Sequence, residues 1–180
     1  MYAPWRLAFL KGEEQDGDLI PSPTGCIFCD YPLAPGAAVA DGSTRRGSDQ
    51  RRLVVTVRAH GFVILNKYPY GNGHVMVVPR VHGDRLEALA PAAFAGLHEL
   101  LHETIAAVRD AYAPHGMNVG MNMGEAAGAG IAAHAHYHVL PRWRGDVNFM
   151  PVFGDTKVIS EALADTWARL AERLRRPADD

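Results

Sequence analysis

Apolar residues divide the middle of the chain into short strands. The runs 53–58, 62–66 and 74–79 are rich in valine and isoleucine and are separated by turn residues, which predicts three consecutive β-strands. A fourth strand is predicted at 117–122. A fifth is predicted at 134–140, where polar and apolar residues alternate. We therefore expect an antiparallel sheet of about five strands.

Two further segments show helical periodicity. Pro91 suits the first turn of a helix, and the apolar residues after it recur at steps of three and four until the chain reaches Pro114. A second amphipathic helix is predicted at 161–176, with Ser160 as its N-cap. The expected fold class is α+β, with the long helix packed on the sheet and a second helix near the C-terminus.

Three histidines alternate with apolar residues in the fifth predicted strand. Successive side chains of a strand point to opposite faces, so His134, His136 and His138 are expected on one face. A neutral imidazole near pH 7 can act as a nucleophile, a proton donor or a metal ligand. This grouping predicts a functional site rather than part of a core.

A glycine-rich loop at 124–130 immediately precedes these histidines. Small residues allow consecutive backbone N–H groups to close around an anion. We expect Gly128, Ala129 and Gly130 to bind phosphate through the backbone, since none of them offers a side-chain donor. Beyond the histidines, Arg142 could neutralise phosphate, and Trp143 could stack on a base, contact a partner subunit or serve as a packed anchor.

Cys26 and Cys29 lie three residues apart on a predicted turn, which is half of a tetrahedral zinc site. A redox pair and two buried structural thiols are the alternatives. No secretory signal is visible at the start of the sequence, so we expect a cytoplasmic protein with reduced cysteines.

The composition limits the partners. The net charge of −2 provides no overall basic field for a nucleic acid polymer, and no apolar run approaches the ~20 residues of a membrane span. A polyanionic substrate would therefore need a local pocket. The length of 180 residues suits one domain. We divide it into an N-terminal extension with a mobile loop (1–52), a catalytic core (53–150) and a C-terminal helical region (151–180).

The pattern of three histidines resembles the signature of the histidine triad (HIT) superfamily of nucleotide hydrolases and transferases. Within it, residues 1–160 are similar to the diadenosine tetraphosphate phosphorylase-like branch, through the Ala-Pro-Trp-Arg opening, the Cys-x-x-Cys motif and the Pro-Arg-Trp sequence after the triad. The resemblance implies a HIT-like half-barrel that pairs into a homodimer, with no organic cofactor.

The resemblance also implies roles for individual residues. His136 would be the nucleophile, His138 would hydrogen-bond a phosphate oxygen or the leaving group, and Asn122 would support the phosphate loop. Asn66 would bind the ribose, with a strand-end cap as the alternative. A structural zinc ion would be held by four residues: Cys26, Cys29, His82 and His134.

The expected reaction is cleavage at the α-phosphate of a nucleoside phosphate, such as diadenosine tetraphosphate, through a nucleotidyl-histidine intermediate. Inorganic phosphate or water would be the acceptor. The alternatives are a metal-dependent hydrolase with the three histidines as ligands, an adenosine phosphoramidate hydrolase, and a nucleotide-binding regulatory module.

Overall fold

The fold is a five-stranded antiparallel sheet with helices packed against it, as the sequence predicts. A computed structural model describes residues 22–33, 50–146 and 161–174. The strands are β1 (Val54–Val57), β2 (Gly61–Leu65), β3 (Val75–Pro79), β4 (Gly116–Met121) and β5 (Tyr137–Arg142). Their order in the sheet is β1-β2-β3-β5-β4, and every neighbouring pair is antiparallel.

Three helices accompany the sheet in the described residues: α1 (Ile27–Asp30), α2 (Pro91–Tyr112) and α3 (Leu163–Arg173). Helix α2 begins at the predicted proline and ends where Ala113 adopts a left-handed conformation with φ of 41°. Helix α3 starts two residues later than predicted, and the expected last residues of that helix, 175 and 176, lie outside the described residues.

The main core lies between one face of the sheet and helices α2 and α3. Leu97 and Leu100 of α2 and Leu170 of α3 are at most 2% exposed. The strand residues of this cluster alternate in sequence: Val55, Val63, Leu65, Val75, Val77 and Val139. Helix α3 is also tied to the sheet by a hydrogen bond of 2.8 Å from Trp167 Nε1 to the carbonyl oxygen of Val54.

A second core lies on the opposite face of the sheet and includes α1. Phe28 of α1 is fully buried there against the intervening strand residues: Val54, Val57, Phe62, Ile64, Met76 and Val78. Strands β1 to β3 are consequently buried on both faces, which explains why their sequences are continuous apolar runs.

The fifth strand differs from the prediction, because it starts at Tyr137 rather than at residue 134. The predicted mobile loop at 32–52 and most of the N-terminal extension lie outside the described residues, so the three-part division of the chain stays a prediction. None of the helices in the described ranges has the length and apolar character needed to cross a membrane.

Candidate active site and metal centre

The three histidines lie at the start of β5, on the side of the sheet that carries the second core. His138 pairs with Met76 of β3, whereas His136 and His134 precede the first strand residue. The rings of His136 and His138 are 4.9 Å apart, and those of His136 and His134 are 5.0 and 5.4 Å from the ring of Phe28. His136 and His138 therefore lie together, whereas His134 turns towards the cysteines, and only His138 belongs to the strand.

His136 is held in one tautomer by the backbone two residues before it. Its Nδ1 lies 2.8 Å from the carbonyl oxygen of His134, and a carbonyl can only accept, so Nδ1–H donates. The neutral ring then carries its lone pair on Nε2. With only 4% of the residue exposed, this nitrogen has the character that a nucleophile requires.

His138 is held in the opposite tautomer by a chain of hydrogen bonds. The backbone N–H of Tyr70 donates to His74 Nδ1 at 3.1 Å, so the proton of neutral His74 is on Nε2. That nitrogen lies 2.9 Å from His138 Nδ1 and donates to it. Neutral His138 therefore carries its proton on Nε2 and can donate it to a phosphate oxygen or a leaving group.

The four residues expected to bind zinc lie together in the structure. The ligand atoms of Cys26, Cys29, His82 and His134 all lie within 4.8 Å of one another. The Sγ atoms of Cys26 and Cys29 lie 3.5 and 3.7 Å from His134 Nδ1, and Cys29 Sγ lies 3.2 Å from His82 Nδ1. A tetrahedron with ordinary Zn–S and Zn–N bonds has S···N edges of about 3.6 Å. The four residues therefore fit a tetrahedral metal ion.

The protonation state of His134 also suits a ligand. Its Nε2–H donates to the carbonyl oxygen of Pro79 at 2.9 Å, which leaves the lone pair on Nδ1, facing the two sulfur atoms. Burial lowers the pKa of His134, so the ring is neutral near pH 7. Burial, with the neighbouring Cys26, raises the pKa of Cys29 to about 11, so a cation is needed there to hold a thiolate.

The glycine-rich loop forms a tight turn whose shape depends on two glycines with positive φ, Gly124 at 82° and Gly128 at 87°. Asn122 Nδ2 donates to the carbonyl oxygen of Gly128 at 3.4 Å and so supports the loop. However, the N–H groups of Gly128 and Ala129 donate to the loop's own carbonyls at 2.9 and 3.3 Å. Of the three amides expected to bind phosphate, two are therefore engaged within the loop, and Gly130 is the remaining member.

Residues 49–145 match the HIT domain family. The chain belongs to the HIT family. It is 43% identical over 131 residues to a Mycobacterium tuberculosis protein named AP-4-A phosphorylase, covering 72% of this chain and 67% of that one.

Solved HIT structures share the fold. A zinc-bound histidine triad family protein from Mycobacterium smegmatis superposes with a TM-score of 0.61 at 23% identity, covering 85% of this chain and 95% of that one. The NitFhit protein of C. elegans superposes with a TM-score of 0.54 at 25% identity over 67% of this chain, which spans only 27% of that longer protein.

Two residues expected to bind substrate in this HIT protein lie at the end of β5. Arg142 is the last residue of the strand, four residues after His138, and Trp143 follows it. Arg142 forms two hydrogen bonds of 2.6 and 2.8 Å with Asp146, which raises the pKa of the guanidinium group. Trp143 packs edge-on against Tyr112 with the ring centroids 6.3 Å apart. Both residues therefore have partners within the fold, and their role in substrate binding stays a prediction.

Asn66 occupies the strand-end position expected for ribose binding and is 6% exposed. Its Oδ1 accepts a hydrogen bond of 2.9 Å from the backbone N–H of Tyr68, which is the capping role named as the alternative. A ribose contact would use the amide nitrogen or the second lone pair of Oδ1. The sequence analysis missed His74, which it treated only as the first residue of a strand. Met76 pairs with His138, and residues two apart in a strand share a face, so His74 lies on the face of the triad. The signal in the sequence was a histidine at the start of the neighbouring apolar run.

The two tautomers can be tested directly. Long-range ¹H–¹⁵N spectra of the imidazoles at slightly alkaline pH should show His136 protonated on Nδ1 and His138 on Nε2. The His74→Phe variant removes the donor to His138, so part of the His138 population should shift to the Nδ1–H tautomer. Because the positioned hydrogen-bond donor is then lost in that part of the population, turnover should fall by roughly tenfold or more.

His102 provides the matched control, since it lies exposed on α2. The His102→Ala variant should leave both tautomers and turnover unchanged. A wild-type spectrum with His138 protonated on Nδ1 would contradict the chain of hydrogen bonds through His74.

Proposed function

We propose that this HIT protein is a nucleotidyl hydrolase or transferase that cleaves at the α-phosphate of a dinucleoside polyphosphate, such as diadenosine tetraphosphate. The observation that carries the proposal is the pair of adjacent imidazoles in opposite tautomers, one with a lone pair and the other with a proton on Nε2. Similarity to the mycobacterial protein named AP-4-A phosphorylase supports the choice of substrate class.

In the first step, Nε2 of His136 attacks the α-phosphorus and the bond from phosphorus to the leaving-group oxygen breaks. His138 donates a hydrogen bond from Nε2–H to that oxygen, which leaves as a phosphate oxyanion and takes no proton from the ring. The new nucleotidyl-imidazole is positively charged, and its Nδ1–H keeps the hydrogen bond of 2.8 Å to the His134 carbonyl, which favours the charged ring. The backbone of the loop, through Gly130 and supported by Asn122, would stabilise the charge on the phosphate.

In the second step, water or inorganic phosphate attacks the same phosphorus atom and the phosphorus–nitrogen bond breaks. His138 keeps its Nε2–H directed at the phosphate, any proton of the attacking water passes to solvent, and His136 returns to its starting tautomer. Both imidazoles are restored, so splitting the reaction into two displacements requires no net proton change in the protein.

A metal-dependent mechanism with the three histidines as ligands is less compatible with the hydrogen bonds. His134 Nδ1 faces the cysteine sulfur atoms, and His138 Nδ1 accepts from His74. The Nδ1 of His136 carries a proton. The lone pairs of the three rings therefore do not converge on one point, which a shared metal ion would require.

We further propose that Cys26, Cys29, His82 and His134 hold a structural zinc ion. A closed set of two thiolates and two imidazoles is typical of structural rather than catalytic zinc. The zinc would link α1 to the chain before β5. Thiol ligands of this kind persist in a reducing compartment, which is consistent with the expected cytoplasmic location.

A homodimer is also proposed, with β4 as the contact. This strand forms one end of the sheet, and the exposure pattern of the described chain leaves much of it open, including Val119 at 43%. An open edge strand without charged side chains is a template for pairing with another strand. A second copy of the chain would continue the sheet across this edge.

Product analysis tests the reaction. Incubation of diadenosine tetraphosphate should give ADP and ATP only when inorganic phosphate is present, if the protein acts as a phosphorylase. Formation of AMP and ATP in water alone would identify a hydrolase. The His136→Ala variant should lose turnover by several orders of magnitude, because it lacks the nucleophile.

Three outcomes would change these conclusions. Cleavage of adenosine phosphoramidate but not of diadenosine tetraphosphate would contradict the proposed substrate and retain the mechanism. Full turnover by His136→Ala with any of these substrates would exclude the covalent intermediate. Nucleotide binding without turnover by the wild type would favour the regulatory module.

The metal site is tested by composition and stability. The purified protein should contain one zinc ion per chain, and the Cys29→Ser variant should contain little. Because the metal closes a long loop between α1 and β5, its removal by a chelator should lower the thermal midpoint. Asp30→Asn alters the same turn without removing a ligand and should retain zinc; equal stability of metal-free and metal-loaded protein would argue against a structural role.

The dimer is tested by placing a charge on the proposed contact. Val119→Lys should shift the protein towards monomer in sedimentation velocity experiments, since a charged side chain in the middle of an edge strand opposes pairing. Val81→Lys is the control, because Val81 is 56% exposed but lies outside β4. A wild-type protein that is monomeric at high concentration would exclude the proposal.

A further inference from the structure

The position of His136 is not determined by the sheet. Pairing of β5 with both neighbouring strands ends at Tyr137, opposite Val77 of β3 and Met121 of β4. The preceding backbone is held by other contacts, such as the hydrogen bond of 2.7 Å from the N–H of Ala135 to the carbonyl oxygen of Gly83. The imidazole of the proposed nucleophile therefore depends on its side-chain neighbours.

Those neighbours lie on different sides of the ring. The His134 carbonyl oxygen holds Nδ1 at 2.8 Å, and the His138 ring lies 4.9 Å away at an interplanar angle of 72°. Phe28 packs against the same imidazole with the ring centroids 5.0 Å apart and the planes inclined at 58°. Among these groups, only Phe28 comes from outside the segment that carries the triad.

Phe28 itself is rigidly placed. It is 0% exposed, and its ring makes an edge contact of 6.2 Å with Phe62 of β2 and another of 5.4 Å with His134. It lies in α1 between Cys26 and Cys29, the two thiol ligands of the metal centre. The turn that brings the thiols to His134 therefore also brings an aromatic ring to His136.

We propose that Phe28 is a positioning residue for the nucleophile: its ring holds the His136 imidazole in the attacking orientation and couples that orientation to the Cys-x-x-Cys turn. This inference rests on the proposed role of His136. A buried ring in contact with the imidazole restricts rotation about the side-chain bonds of His136, so Nε2 stays aligned with the phosphorus. Loss of such alignment costs turnover without weakening substrate binding, because the phosphate and nucleoside contacts are made elsewhere.

The test compares Phe28→Leu with Phe62→Leu. Both phenylalanines are fully buried in the same core cluster. Within the described residues, the ring of Phe28 contacts His134 and His136, whereas the ring of Phe62 contacts Phe28. Phe28→Leu should lower kcat for diadenosine tetraphosphate with inorganic phosphate by about ten- to a hundredfold at nearly unchanged KM. Phe62→Leu should lose stability to a similar extent and keep kcat close to that of the wild type.

A spectroscopic measurement separates positioning from general damage. The Nδ1–H of His136 is buried and hydrogen-bonded, so it should give a slowly exchanging downfield proton signal in the wild-type protein. That signal should broaden or disappear in Phe28→Leu and persist in Phe62→Leu. Zinc content should be the same in both variants and in the wild type. The proton spectrum is recorded without substrate, so it tests the positioning role even if the proposed substrate is wrong.

Equal kcat losses in the two variants would overturn the proposal, as would a loss in Phe28→Leu that merely follows a loss of zinc. If Phe28→Leu does not fold, Phe28→Met retains the volume without the rigid ring and should still lower kcat; wild-type kcat in that variant would also overturn it. His136→Ala is the reference: if it retains turnover, the proposed function fails, whereas an inactive His136→Ala with an active Phe28→Leu refutes only the positioning role.

Discussion

The place where β5 ends determines how the three histidines are used. Tyr137 is the first residue paired with both β3 and β4, so His138 has the fixed direction of a strand residue whereas His136 and His134 do not. The tyrosine hydroxyl donates to Nε2 of His98 on α2 at 3.1 Å, and His98 Nδ1–H donates to the carbonyl oxygen of Phe94 at 2.8 Å. The long helix thereby anchors the strand at the residue where regular pairing stops.

Because the chain leaves the sheet at this point, His134 can turn towards the cysteines instead of standing beside His136 as strict alternation requires. Its imidazole then faces the proposed metal site, and its carbonyl oxygen orients His136. One residue therefore belongs to both proposed sites. The Cys-x-x-Cys turn and the orientation of the proposed nucleophile are consequently linked through a single peptide group and through the ring of Phe28.

The sequence was most informative where one residue type dominates a regular pattern. The apolar runs of β1 to β3 and the period of α2 follow from local periodicity, and the structure confirms them. The grouping of the histidines was predicted in the same way, but only His138 belongs to β5. The roles of Arg142, Asn66 and Gly128 could not be read in this way. Each has a polar partner within the fold, namely Asp146, the N–H of Tyr68 and the carbonyl of Glu125, and sequence alone does not show which polar groups are already engaged.

His74 shows why the chemistry of the site exceeds its motif. Nothing in the spacing of the triad distinguishes His136 from His138, which occupy equivalent positions in an alternating pattern. Their difference arises from what each Nδ1 meets: a carbonyl oxygen can only accept, so His136 must donate, whereas His74 has been left with a proton to donate because the N–H of Tyr70 occupies its other nitrogen. Two identical side chains are thus given opposite roles by the donors and acceptors around them. The difference between a lone pair and a proton on Nε2 is therefore a property of the fold and not of the histidine motif.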